Sequence, residues 1–130
     1  MANVNLISGT SIYAGNAGWN LSNTLTATLL TVDADKLVKI NTITCANVDG
    51  TSAANLNLYI YGLGSGASGV TTTGETAVVY LAKTVSIPAD STLIILDNPI
   101  YLMEGDVLKG GASAASDLDL FISYEVFDDA

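Results

Sequence analysis

The sequence predicts an all-β fold: a single-domain β-sandwich of eight or nine short strands, with a jelly roll favoured and an immunoglobulin-like sandwich as the alternative. Three observations lead there. Apolar and polar residues alternate with a period of two in one segment after another, and those segments are rich in Thr, Val and Ile. Turn signals built from Gly, Pro, Asn and Asp recur between them at roughly the 8–12-residue spacing of sandwich strands. Helix-period patterns are scarce, and the 130 residues make one ordinary domain.

Each element follows in order. A short strand is expected over residues 10–14. A turn at Gly15-Asn16-Ala17-Gly18 then presents Trp19 as a partly buried lid on the core. Residues 21–29 put Leu21, Leu25, Ala27 and Leu29 on one parity and Ser22, Thr24, Thr26 and Thr28 on the other, a half-buried strand. After a turn at Val32-Asp33-Ala34-Asp35, Val38, Ile40, Thr44, Ala46 and Val48 alternate with Lys39, Asn41 and Asn47. Asp49-Gly50 is a strong turn dipeptide. Leu56, Leu58 and Ile60 next alternate with Asn57, Tyr59 and Tyr61, whose tyrosines share a face with Tyr80.

Residues 62–74, almost all Gly, Ser, Thr or Ala, have too little side chain to bury a face and read as a long mobile loop. Residues 76–86 form the next strand, with Ala77, Val79 and Leu81 opposed to Val78, Tyr80 and Ala82. Shorter strands over 92–97, 100–103 and 107–109 are separated by turns at Ile87-Pro88-Ala89-Asp90, Asp97-Asn98-Pro99 and Glu104-Gly105-Asp106. The last strand is the clearest. Leu118, Leu120, Ile122, Tyr124 and Val126 line one face, and Asp119, Phe121, Ser123, Glu125 and Phe127 the other. Residues 1–9 are polar and unpatterned and read as an extended N-terminal arm ahead of a sandwich over 10–130.

Composition excludes more than any motif includes. Thirteen Asp and Glu against four Lys give a net charge of −9, and the chain has no His. It also has no Arg. A Ser-His-Asp triad, a Cys-His pair, a His metal ligand and an arginine finger are therefore all impossible. An acidic chain with so few cations is a poor nucleic-acid ligand. No stretch is long and apolar enough to cross a membrane, and no secretory signal is recognised. Cys45, alone and inside an apolar run, reads as a buried structural thiol.

The remaining candidates give way to plainer readings. Gly64, Gly66 and Gly69 spell G-x-G-x-x-G after a strand, but Val70-Thr71-Thr72-Thr73-Gly74 is no helix to receive a pyrophosphate. Asp33 with Asp35, and Asp117 with Asp119, offer half of a calcium site without EF-hand spacing. Glu75, Glu104 and Glu125 fall in a loop, a turn and an exposed strand parity, a poor basis for a glycosidase pair. No catalytic residue, cofactor or metal is assigned, and the chain is not expected to be an enzyme.

One segment carries a resemblance. Ile87-Pro88-Ala89, Leu93, Pro99-Ile100-Tyr101-Leu102, Gly105-Asp106, Ala114-Ala115-Ser116, Leu118-Asp119 and Ser123-Tyr124-Glu125 form a spaced pattern across the last third of the chain. It resembles that of small β-sandwich virion proteins of tailed bacteriophages, of the capsid decoration or cement type. The resemblance implies a jelly-roll-like fold and a virion structural role on the outside of a phage head. It also implies a homo-oligomer, a trimer being favoured, that partners the major capsid protein without contacting nucleic acid or membrane. The alternative is a fibre or neck-associated lobe binding a host receptor or carbohydrate, for which Trp19 and the Asp pairs are the sequence's candidates.

Overall fold

A computed structural model describes residues 6–7, 11–62 and 69–128. Among them are nine strands and no helix: β1 (Ser11–Asn20), β2 (Thr28–Thr31), β3 (Lys36–Asn47), β4 (Ala54–Tyr61), β5 (Val78–Ile87), β6 (Thr92–Leu96), β7 (Ile100–Leu102), β8 (Val107–Ala112) and β9 (Leu118–Asp128). They form two antiparallel sheets. One runs β1-β9-β3-β6, with β7 also pairing β3, and the other runs β2-β8-β4-β5.

The pairings nest. Ser11 lies opposite Asp128, Thr28 opposite Lys109, Val38 opposite Leu102 and Ala54 opposite Ile87. The two numbers of each pair add to nearly the same total, as in one long antiparallel ribbon with its tip in the connection between β4 and β5. Successive rungs of that ribbon fall alternately in the two sheets, which is the winding of a jelly roll. The sandwich is therefore a jelly roll, with the strand opposite β3 broken into β6 and β7 by the Asp97-Asn98-Pro99 turn.

The core lies between the sheets. Leu56, Leu58, Ile60 and Leu108 from one sheet meet Ile40, Ile43, Leu120 and Ile122 from the other, all buried. In β9 the expected parity holds: Leu118, Leu120 and Ile122 are buried, and Tyr124 and Val126 pack at the core's margin. Cys45 is fully buried there, and burial, with help from Asp119, pushes its thiol up to about 12.

Three expectations change. The Gly15-Asn16-Ala17-Gly18 segment is not a turn but the middle of β1, paired residue for residue with β9. The ring of Tyr124 fills the place of a side chain at Gly15, where a Cβ would lie 2.7 Å from it. Trp19 packs against the core from this strand as the partly buried lid expected.

The strand expected over 21–29 shrinks to β2. Leu21 is buried, but residues 22–27 leave the ladder and cross β8, where the N–H groups of Gly110 and Ala112 donate to Ala27 and Ser22 carbonyls. Gly111 makes that crossing possible, because a Cβ there would sit 2.3 Å from the Thr24 carbonyl oxygen.

In β3 a register shift between Ile40 and Thr42 reverses the side-chain parity. Beyond it Ile43, Cys45 and Asn47 face the core, while Val48 is exposed. The N-terminal arm expected over residues 1–9 falls, apart from Leu6 and Ile7, outside the described residues, as do residues 63–68 of the glycine-rich loop and 129–130.

Candidate functional site: the two outer faces of the sandwich

With the inner faces committed to the core, surface chemistry rests on the two outer faces and the loops. The five-stranded sheet presents Ile12, Phe121, Ile94 and Tyr101 outward, all exposed, with Ile12 and Ile94 above 60% (63% and 62%). Phe121 lies between Gly18 and Thr44 in the ladder, and Thr44 in turn adjoins Ile94. Around this row are Ala14, Asn16, Ser123, Thr42 and Ala46, with Glu125 beside Lys39 and the carboxylate Asp119 beside Ala46 and Asn20. Small and β-branched neighbours keep the face low. The large apolar groups on it have no covering layer among the described residues.

The four-stranded sheet has a different outer face. Its strands contain no Asp or Glu, and their only charges are Lys83 and Lys109. Asn55, Asn57, Tyr59 and Tyr61 alternate outward along β4. Tyr59 sits between Lys109 on β8 and Tyr80 on β5. The Tyr59 and Tyr80 rings are 5.0 Å apart at 44°, so Tyr59 is covered and Tyr80 is exposed. Lys83 Nζ lies 5.1 Å from the Tyr80 centroid and Lys109 Nζ 5.3 Å from that of Tyr61.

A small hollow of about 90 Å³, lined by Leu25, Asn55, Asn57, Thr84 and Ser113, adjoins these rings. Thr84 is held in the left-handed region (φ 53°) at a break in the β4–β5 register, and its N–H donates to Asn57 Oδ1 at 2.6 Å. A second hollow of about 170 Å³ opens between the sheets, with Leu30, Val32, Lys36, Tyr124 and Val126 in its wall. Its wall mixes these apolar side chains with Thr31, Asp33 and Lys36. Lys36 at its rim is tied to Asp128 at 2.9 Å, a bond that raises the lysine's pKa.

The residues singled out from sequence scatter. Asp33 and Asp35 lie in the β2–β3 turn, where Asp35 takes a positive φ. Asp119 Oδ1 accepts from Asn20 Nδ2 at 2.7 Å, and Asp117 offers its carbonyl to the Val48 N–H. Glu75, Glu104 and Glu125 belong to three separate parts of the fold. Among the described residues no three Asp, Glu, His or Cys side chains gather in metal-binding fashion. Gly64 and Gly66 are outside the described residues, and no helix follows Gly69.

The Glu104-Gly105-Asp106 turn behaves as its composition suggests. Gly105 takes φ 87°, and Asp106 Oδ2 accepts from the Met103 N–H at 2.9 Å. Sequence reasoning did not foresee that Asp106 would be buried, with Oδ1 unpartnered and burial raising its pKa. Nor did it single out Asn47. That buried amide donates from Nδ2 to the carbonyls of Ser52 (3.0 Å) and Ile87 (2.9 Å) and accepts at Oδ1 from the Asp49 N–H (2.9 Å). No protein-family model matches the chain, and no curated protein matches its sequence.

Proposed function

We propose that this chain is a virion structural protein, a decoration or cement subunit seated on the outer surface of a phage head and partnering the major capsid protein. The observation that carries the reading is the low outer face of the five-stranded sheet, with Ile12, Phe121, Ile94 and Tyr101 exposed among small residues. Burying such a face against a lattice junction releases on the order of 25 cal/mol per Å² of apolar surface. A rigid clamp that binds only the assembled junction stabilises the lattice presenting it, by mass action. The spaced pattern from Ile87 to Glu125 adds the resemblance, and the jelly roll agrees with it.

The chain acts as a homo-oligomer in this reading, with a trimer favoured. The acidic balance suits the outside of a shell better than the DNA-facing inside.

The test mixes the purified protein with mature shells lacking it and with immature shells. Saturable binding to mature shells and a rise in their melting temperature are expected. A Phe121→Asp, Ile94→Asp double variant should fold and fail to bind. Absence of binding to either shell would overturn the proposal.

A further inference from the structure

We propose that the outer face of the four-stranded sheet is a binding site for an acidic oligosaccharide, a chain of sugar rings bearing carboxylates. Thirteen carboxylates are spread over this chain, yet none lies in β2, β4, β5 or β8, and two of its four lysines do. Lys83 and Lys109 have no carboxylate partner among the described residues. Each ammonium is instead held over a tyrosine ring, which fixes its place without neutralising it. They stand on β5 and β8 with β4 between them, two strand spacings or about 10 Å apart. That arrangement suits an anion with charges at intervals along it.

The second observation is the hollow beside them. Asn55, Asn57, Thr84 and Ser113 line it, with Leu25 as its apolar wall. Asn57 commits its oxygen to the Thr84 N–H, so its amide nitrogen is left as a donor. The Asn55 side chain makes no hydrogen bond to any described residue. Amides and hydroxyls packed this closely on a shallow floor match a ligand rich in hydroxyls. A nucleic acid would need far more cationic charge from a molecule of net charge −9. An acidic peptide would not need the hydroxyl-matching floor. Thr84, a β-branched residue at φ 53°, shows that the backbone is strained where it shapes this floor.

The proposal does not depend on the capsid reading, since it uses the opposite face of the sandwich. The test is a titration of the full chain with tetragalacturonate at about 0.15 M ionic strength, where the screening length is about 8 Å and the distant carboxylates are screened, followed by amide NMR shifts. Shifts confined to Asn55, Asn57, Tyr59, Tyr61, Tyr80, Lys83, Thr84 and Lys109 are expected. The Lys83→Gln, Lys109→Gln double variant should weaken binding ~10-fold, as should methyl esterification of the sugar, if each lost charge is worth a few-fold. Asn57→Ala should weaken both ligands alike. Three results would each overturn the proposal: no shifts at millimolar sugar, shifts on other residues, or tighter binding of polyglutamate than of the sugar at this face.

Discussion

At the residue scale, three buried polar groups behave differently because their partners differ. Asn47 is fully engaged, and replacing it with Ala strands the buried Ile87 carbonyl and releases the part-buried Ser52 carbonyl and Asp49 N–H. Asn47→Ala is expected to cost about 2–4 kcal/mol, read from urea unfolding midpoints. Asp106 is the reverse case, with one oxygen used and one idle. Burial raises its pKa, so the group favours folding while protonated. That contribution is complete below the unfolded value of about 3.9 and is lost as pH rises through the folded one. Asp106→Asn keeps an oxygen for the Met103 N–H and removes the buried charge. It should be more stable than the parent by on the order of 1 kcal/mol at pH 7, with the gap closing in unfolding curves taken near pH 3. Cys45, its thiol pushed up to about 12 and wholly enclosed, should react with iodoacetamide only as fast as the molecule opens.

At the element scale, β9 is the strand on which the most depends, since it pairs with both β1 and β3. Ile122, opposite Ala17 and Ile43, is fully buried at its centre. Ile122→Asp places an unpaired charge there and costs several kcal/mol against a total of about 5–15. Loss of the cooperative transition in circular dichroism is the expected result, and a folded variant would contradict the parity assigned to β9.

Strands of unbroken alternation, such as β9 and β4, were legible in sequence. β3 was legible only as far as Ile40, because a bulge adds a residue without any mark that period-two reading can detect. β1 was cut short because Gly15 and Gly18 look like a turn until Tyr124 is known to lie across the strand. The tyrosine face was visible as a shared parity. Its lysines were not, since their approach to the rings depends on which strands adjoin β4.

For the whole molecule, strand order was the part composition could not supply, since it is a matter of pairings between residues far apart in the chain. Self-association is nonetheless expected from the surface. Large apolar groups stay exposed on both outer faces and in the loops, and few lysines guard the edges. Light scattering at tens of micromolar should report a mass above 13.4 kDa. Phe121→Asp should leave that mass unchanged, because the Phe121 face is the one that meets the shell.

The nested ribbon also sets an order of events during synthesis. Of the described strands, β1 is the first to leave the ribosome and its ladder partner β9 is the last. At about 5–20 residues per second, β1 waits some 6–25 s with its hydrogen-bonding groups unpaired and its apolar side chains in water. β4 and β5 can pair first, because they flank the tip of the ribbon. A ribosome stalled before β9 should therefore hold a chain with every strand of the four-stranded sheet present and β1 still exchanging freely. Emergence of β9 would then complete the five-stranded sheet by joining β1 to β3.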